Sequence, residues 1–246
     1  MAAMSGAALV VGGASGIGRA CADALAAADW PVVVADLRPD PADSGAVAVD
    51  VRDHEAVGAA VAGVAREHGG LGAVVYAAGT ARVTPLLEIS SREWDLVVGV
   101  NLTGAFNVLQ ASAPHIPPGG SCTIVSSIDS AAPVAGLSHY SAAKAGCEAL
   151  VRAAALELGH RGVRCNAVLP GVVRTPLMAA TLDRDGVSDA FVAQTPLGRI
   201  AAADDIADVV AFLASPAARW ITGISLPVDG GMHLREHPTL LDRPLP

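Results

Sequence analysis

The sequence predicts an α/β protein with a doubly wound, seven-stranded parallel sheet and helices on both faces. Short runs rich in β-branched residues alternate with Ala-rich stretches of helical length along most of the 246 residues. Few of the short runs alternate polar and apolar side chains, as is typical of strands covered on both faces. The composition is 52% hydrophobic and only 16% charged, which suits helices packed tightly on a buried sheet.

Seven short apolar runs are predicted as strands. The first, 7–11, leads into a glycine cluster, and the last, 223–228, ends at Asp229-Gly230-Gly231. The five between them cover 32–36, 46–51, 73–76, 121–126 and 163–169. Right-handed crossovers between such strands produce a doubly wound sheet.

The stretches between most of these strands are predicted as helices. They cover 16–28, 53–68, 91–112, 138–159 and 204–214, and Asp53 is suited to cap the second of them. The third is expected to stop before Pro114 and the glycine pair that follows it, because proline and glycine interrupt helices. The chain is predicted to be a single domain, 1–246. The segments that fit the alternation least are interpreted as a substrate lid, 176–200, and a C-terminal tail, 232–246.

The charge and the cysteines exclude several classes of function. The net charge of −8 and the isoelectric point near 5.2 disfavour a nucleic-acid partner. The four cysteines lack metal-ligand spacing, so we expect reduced thiols and no metal site. The N-terminus is a poor signal peptide, and no apolar run approaches the roughly 20 residues of a membrane helix. A cytoplasmic protein without a membrane partner is therefore expected.

A dinucleotide site is predicted where the first strand runs into the glycine-rich segment 12–18. Gly12, Gly16 and Gly18 allow a tight turn, which brings a pyrophosphate close to the N-terminus of the following helix. Asp36 ends the second strand and can accept hydrogen bonds from the adenosine ribose. Its carboxylate would repel a 2′-phosphate, and the next residue, Leu37, offers no cation. NAD is therefore favoured over NADP.

An acid/base pair is predicted from Tyr140 and Lys144, which lie on one face of a helix at i and i+4. A nearby ammonium favours the phenolate, so we expect the pKa of Tyr140 to fall below its usual value near 10. Such a phenol can take a proton from an alcohol or give one to a ketone. Ser127 ends the fifth strand and could hydrogen-bond the same substrate oxygen, with Ser126 as the alternative.

These features together resemble the short-chain dehydrogenase/reductase family along nearly the whole chain, and the resemblance implies a Rossmann-like fold. The matching residues are Gly12, Gly16, Gly18, Asp50-Val51, Asn101, Ser127, Tyr140, Lys144, Pro170-Gly171, Thr175-Pro176 and Asp229-Gly230-Gly231. The resemblance implies that Tyr140 is the general acid/base and that Ser127 orients the substrate oxygen. Lys144 would bind the nicotinamide ribose and lower the pKa of Tyr140. Asn101 would hold a water of the proton relay.

The resemblance also implies a cofactor-binding set and a homotetramer. The residues expected to contact NAD are Gly12, Ser15, Gly16, Ile17, Gly18, Asp36, Leu37, Asp50, Val51, Ala78, Gly79, Tyr140, Lys144, Pro170, Gly171, Val173 and Thr175. The tetramer would pair helices 91–112 and 138–159 and the last strands. Val11 and Tyr76-Ala77 depart from the family's usual threonine and Asn-Asn. We expect these departures to alter local hydrogen bonding and not the chemistry.

The substrate is predicted to be a small hydrophobic or alicyclic secondary alcohol, or the matching ketone. Nearly all the residues expected around it are apolar, namely Ile128, Ala132, Val134, Leu137, Val172, Leu177 and Met178. A reductase of 3-oxoacyl or polyketide intermediates is the first alternative, and such enzymes usually prefer NADPH. A non-catalytic nucleotide sensor is the second, although such proteins tend to lose the tyrosine or the lysine.

Overall fold

The computed structural model describes residues 6–43 and 45–234, and its strands form one parallel sheet. The strand order is β3-β2-β1-β4-β5-β6-β7. The strands are β1 Ala7–Val11, β2 Val32–Asp36, β3 Val47–Ala48, β4 Leu71–Tyr76, β5 Ser121–Val125, β6 Arg164–Pro170 and β7 Ser225–Val228. The predicted fold class is confirmed.

Eight α-helices connect the described strands. They are α1 Gly16–Ala27, α2 His54–His68, α3 Ser91–Val98, α4 Gly104–Ser112, α5 Ser138–Leu158, α6 Pro176–Leu182, α7 Val187–Ala193 and α8 Ala203–Ala214. The Asp53 side chain caps α2 by accepting a hydrogen bond from the Ala56 N–H at 3.0 Å, as its position predicts. Helices α6 and α7 lie in the segment 176–200, for which the sequence predicted no element.

Both faces of the sheet are covered, and β1 contributes side chains to both. Ala8 and Val10 belong to the apolar layer that faces α1 and α8. Leu9 and Val11 belong to the layer under α2, α4 and α5. All four side chains are buried, which explains why the strand shows no polar alternation.

The strand order reverses at β1, and this switch point creates a crevice at the carboxyl ends of the strands. The chain passes from β1 outward to β2 and β3, then returns to β4 on the other side of β1. Nucleotides bind in such crevices. Gly12, with a φ of +82°, follows β1, and a Cβ there would lie 2.4 Å from the backbone nitrogen of Ala78, which follows β4. Only glycine fits this close approach of the two loops.

Two predicted elements differ from the structure. The helix predicted over 91–112 is interrupted by a π turn, Gly99–Thr103, in which the Gly104 N–H donates to the Gly99 carbonyl. The reason is the buried side-chain amide of Asn101, which donates to the Val97 carbonyl at 2.8 Å. In a continuous helix this carbonyl would accept a hydrogen bond from the backbone instead. The strand predicted over 46–51 pairs with β2 only at Val47–Ala48.

The helical stretch Ser91–His115 is long and apolar enough to cross a membrane by length and composition alone. In the structure it packs against α2 and α5. It also carries Asn101 and Asn107, whose side chains are buried and hydrogen-bonded to backbone carbonyls. These features are those of a core helix of this domain.

Candidate active site

The glycine-rich loop packs as a phosphate-binding turn requires. A Cβ on Gly18 would lie 2.0 Å from the Gly12 carbonyl oxygen, so only glycine lets the start of α1 sit on the turn. Ser15 and Ile17 flank Gly16, which adopts a left-handed φ of +56°. A Cβ on Gly16 would meet the Thr175 methyl at 3.4 Å. The structure therefore brings the segment after β6 against the loop.

The Asp36 carboxylate is fixed beside this loop at the end of β2. Its Oδ2 accepts from the Ala14 N–H at 3.1 Å and its Oδ1 accepts from the Arg38 N–H at 3.0 Å. Leu37 is 59% exposed and provides no cation there. The backbone thus orients a negative charge at the place where the adenosine ribose is predicted to bind.

Asp50, the predicted adenine partner, follows β3 and forms an ion pair with Arg52. Arg52 Nη2 lies 2.6 Å from Asp50 Oδ2, and the Arg52 hydrogen bonds lower the pKa of Asp50. Val51 is buried, and its carbonyl accepts from the Asn107 amide at 2.9 Å. An adenine amine would therefore share the carboxylate with the guanidinium.

Helix α5 and strand β5 bring the predicted acid/base residues together. Lys144 is buried, its Nζ donates to the Val125 carbonyl at 2.8 Å, and it lies 5.5 Å from the centroid of the Tyr140 ring. Ser127 is buried at the end of β5, within hydrogen-bonding reach of the phenol. Ser126 instead donates to the Lys144 carbonyl at 3.0 Å and fixes α5 on the strand. The geometry favours Ser127 over Ser126 for the substrate oxygen.

The expected fall in the pKa of Tyr140 is wrong for the free protein. Burial raises the pKa of Tyr140 to about 12, while the Ser127 hydrogen bond lowers it to a smaller extent and the Asp129 carboxylate raises it. Lys144 does not offset this rise, and burial lowers the pKa of Lys144 as well. The i, i+4 spacing showed the proximity of the two groups but not their desolvation.

Tyr140 is therefore expected to stay protonated in the nucleotide-free protein at pH 10, where an ordinary tyrosine is about half ionised. The ultraviolet absorbance of phenolate measures this, as the difference between the wild type and Tyr140→Phe along a pH titration. Burial also raises the pKa of Tyr76, the only other tyrosine in the sequence, so the background is small. A phenolate step near neutral pH in the difference curve would contradict the expectation.

Asn101 lies in the π turn, where its side chain and Lys144 approach the same loop. The amide nitrogen donates to the Thr80 carbonyl at 2.7 Å, and the Asn101 carbonyl accepts from Cys147 Sγ at 3.2 Å. Its buried Oδ1 has no hydrogen-bond partner within 6–43 and 45–234. A Cβ on Gly79 would lie 3.1 Å from this oxygen and 3.8 Å from Lys144 Nζ. This placement fits the role in a proton relay that the resemblance implies.

Tyr76 shows what the departure from the usual asparagine does. Its phenol is buried at the end of β4 and donates to the Val100 carbonyl in the π turn. A Cβ on Gly104 would lie 2.4 Å from the phenol oxygen, so glycine leaves the room that the ring needs. The altered hydrogen bonding expected from the sequence is a direct tie between β4 and the turn that holds Asn101.

An open cleft of about 520 Å³ begins one residue after Ser127. Its lining residues are Ile128, Ala131, Ala132, Pro133, Leu169, Pro227 and His233. Of the predicted wall, Ile128 and Ala132 lie here, whereas Val134 and Leu177 are more than half exposed, at 52% and 51%. Sequence reasoning assigned His233 to the tail and missed it. Its position two residues after Asp229-Gly230-Gly231 was the available signal.

The remaining predicted cofactor residues lie at the carboxyl ends of β4 and β6. Pro170 ends β6, and the Gly171 N–H donates a hydrogen bond to the Val228 carbonyl at 3.3 Å. Val173 is buried and bridges to Ala201. Across the described residues, no group of three or more His, Cys, Asp or Glu side chains could hold a metal ion. The tail predicted over 232–246 lies outside the described residues beyond Leu234.

Comparison with known proteins shows close relatives of this chain. The family model described as enoyl-(acyl carrier protein) reductase matches residues 12–233. The 3-oxoacyl-[acyl-carrier-protein] reductase FabG of Staphylococcus aureus is 35% identical over 94% of this chain and 99% of its own length. The mouse (3R)-3-hydroxyacyl-CoA dehydrogenase is 42% identical over 65% of this chain, and the match spans only 62% of that relative.

Two solved structures are similar over nearly the full chain. The structure of gox2181 has a TM-score of 0.88 and 32% identity, and the alignment covers 94% of this chain and 97% of the other. A short-chain type dehydrogenase/reductase from Mycobacterium ulcerans also has a TM-score of 0.88 and 32% identity, with 97% and 94% covered. The fold therefore has counterparts in solved proteins.

Proposed function

The chain belongs to the short-chain dehydrogenase/reductase family and is an oxidoreductase that uses a nicotinamide cofactor, and from this premise we propose that it interconverts a hydrophobic secondary alcohol and its ketone with NAD. The observation that carries the proposal is the meeting of Tyr140, Ser127 and Lys144 beside the nucleotide crevice. A nucleotide sensor would have no need of this set.

The catalytic roles follow from the contacts of these side chains. When bound, the nicotinamide would carry the hydride. Ser127 would hold the substrate oxygen, while Tyr140 gives that oxygen a proton in the reduction or takes one from it in the oxidation. The protonated phenol of the free protein is the form suited to ketone reduction. Lys144 and Asn101 both approach Gly79. They would form the path by which the phenol regains the proton that it gives to the ketone.

The choice of NAD rests on Asp36 and Leu37. The carboxylate faces the predicted ribose site with its two backbone hydrogen bonds in place, and a 2′-phosphate there would meet like charge. A ribose with free hydroxyls would instead donate to the carboxylate.

The choice of substrate rests on the cleft beside Ser127. Six of its seven lining residues are apolar, and it contains no Lys or Arg to hold a carboxylate or a phosphate. A compact apolar or alicyclic alcohol suits such walls.

A reductase of 3-oxoacyl thioesters is the second candidate. The names of the mouse and Staphylococcus aureus relatives favour it, since each name specifies an acyl thioester as the substrate. The mouse match covers only part of that relative, and the acidic ribose site argues for a different nucleotide from the NADPH that such reductases usually prefer.

A turnover panel separates these candidates. We expect alicyclic ketones to be reduced with NADH at a kcat/KM at least about tenfold above that of 3-oxoacyl thioesters, because the cleft is short of polar anchors. The panel is run with NADH and NADPH in parallel. Activity confined to acyl thioesters with NADPH would establish the second candidate, and activity confined to charged hydroxy acids would refute the hydrophobic substrate.

We also propose a homotetramer and a cytoplasmic location. Phe106 on α4 is 43% exposed and Leu156 on α5 is 85% exposed, on the helices expected to pair between subunits. Trp220, close before β7, is 98% exposed. The four cysteines are buried free thiols, which suits a reducing compartment.

Phe106→Arg is expected to lower the mass in solution from that of four chains to that of two. A guanidinium buried between paired helices would lose its hydration without gaining an opposite charge. Light scattering after size exclusion measures the mass. Leu87→Arg is the matched control, since Leu87 is 98% exposed outside α4 and α5. An unchanged mass for Phe106→Arg would count against this pairing.

A further inference from the structure

A carboxylate and an imidazole meet at the cleft, outside the set of residues used for proton transfer. Asp229 follows β7, and its side chain is 3% exposed. Its oxygens accept from His233 Nδ1 at 2.8 Å, from the His233 backbone N–H at 2.6 Å and from the Gly231 N–H at 3.0 Å. The Asp229–His233 pair is thus held by its own turn.

The position of this pair is also fixed against the predicted nicotinamide segment. A Cβ on Gly171 would lie 2.9 Å from the Asp229 Cβ, so the two backbones are in direct contact. His233 reaches from there to the cleft, which it lines together with Ile128 and Pro227. The imidazole therefore stands at a defined place at the edge of the cleft.

The carboxylate decides which nitrogen of His233 carries the proton. An ionised Asp accepts hydrogen bonds only, so Nδ1 must be the protonated nitrogen of the neutral ring. In this neutral form Nε2 has a lone pair and can accept a hydrogen bond. Since the His233 side chain is 43% exposed and lines the cleft, this acceptor is accessible to a ligand.

We propose that His233, oriented by Asp229, accepts a hydrogen bond from a second hydroxyl group of the substrate, so that the preferred substrate is a hydroxyketone or diol on an apolar skeleton. The inference rests on the proposed function and narrows its substrate class. His233 is the one residue with a polar side chain among the described residues that line the cleft. Its Nε2 selects an O–H donor, because the oxygen of a ketone or an ether has lone pairs but no hydrogen to donate. His233 is a specificity residue and takes no part in the proton transfer.

Matched pairs of ketones test the inference. The probes are hydroxycyclohexanones and their O-methyl ethers, which keep the oxygen but lose the donor. In the wild type we expect the kcat/KM of the hydroxyl member to exceed that of its ether by about fivefold, as for one net hydrogen bond of about 1 kcal/mol. His233→Leu should bring the ratio close to one. His233→Gln, whose amide oxygen can accept, should restore part of the preference.

His160→Leu is the matched control. His160 lies in an exposed turn before β6, whereas Gly171, which contacts Asp229, follows the other end of that strand. It should keep the wild-type ratio. Equal turnover of hydroxyl and ether members by the wild type would overturn the inference and leave the proposed function in place. So would a preference that His233→Leu retains.

Calorimetric titration of the same probes into the NAD-loaded Tyr140→Phe protein separates the two proposals. If no ketone is turned over, a His233-dependent preference for the hydroxyl member in this titration would support the site and overturn the proposed function. Absence of both turnover and binding preference would overturn the inference as well.

Discussion

Replacing Tyr140 by phenylalanine is expected to lower kcat for ketone reduction by a factor of about 10²–10⁴, the usual contribution of a positioned general acid. The ring and its packing stay, and the group that is lost is the hydroxyl near Ser127 and Lys144. Steady-state reduction of the best ketone from the panel measures the effect. Retention of more than about a tenth of the wild-type kcat would remove Tyr140 from the acid/base role.

Tyr76→Phe is the matched control, because it deletes the same group from the other tyrosine. That phenol bonds the Val100 carbonyl, so its loss should cost about 1–3 kcal/mol in the free energy of unfolding. We expect the main effect of Tyr76→Phe to appear in denaturant unfolding and that of Tyr140→Phe to appear in kcat. Loss of stability as the main effect of Tyr140→Phe would show a structural and not a chemical role.

Changing Asp36 to alanine together with Leu37 to arginine is expected to shift the nucleotide preference toward NADPH by about a hundredfold or more. The change removes a like charge and adds a guanidinium that binds a phosphate in bidentate fashion, and two unit charges about 5 Å apart interact by about 3 kcal/mol near a protein surface. The ratio of kcat/KM for NADH to that for NADPH measures the shift.

Asp36→Asn controls for the structural role of the carboxylate, whose two oxygens each accept a backbone N–H. It removes the charge and keeps the shape and one of the two acceptors, so it should weaken the preference for NADH without creating one for NADPH. A wild type that already prefers NADPH would contradict the assignment to NAD and would favour the acyl thioester candidate.

Much of the fold was predictable from local pattern. Buried strands such as β1 and β4 appear as short apolar runs that follow glycines, and the cap at Asp53 marked the start of α2. The site followed because parallel strands present their carboxyl ends at one edge, which brings Ser127 and Gly12 to one crevice.

Other features depend on contacts between distant segments. The π turn places the Asn101 amide against the Thr80 carbonyl, a partner 21 residues away that apolar periodicity does not reveal. The pKa of Tyr140 depends on how much of the fold surrounds the phenol. His233 reaches the cleft through Asp229 and the contact of that residue with Gly171, a pairing across two strands.

The π turn at Gly99–Thr103 has a consequence for insertions and deletions. Its hydrogen bond from Gly104 to Gly99 spans one residue more than a regular helical turn, so this stretch holds one extra amino acid. Shortening the chain by one residue here would let a regular helix run from α3 into α4 with its packing face preserved. The mutant would gain backbone regularity, yet the amide of Asn101 would turn away from Thr80 and its carbonyl away from Cys147.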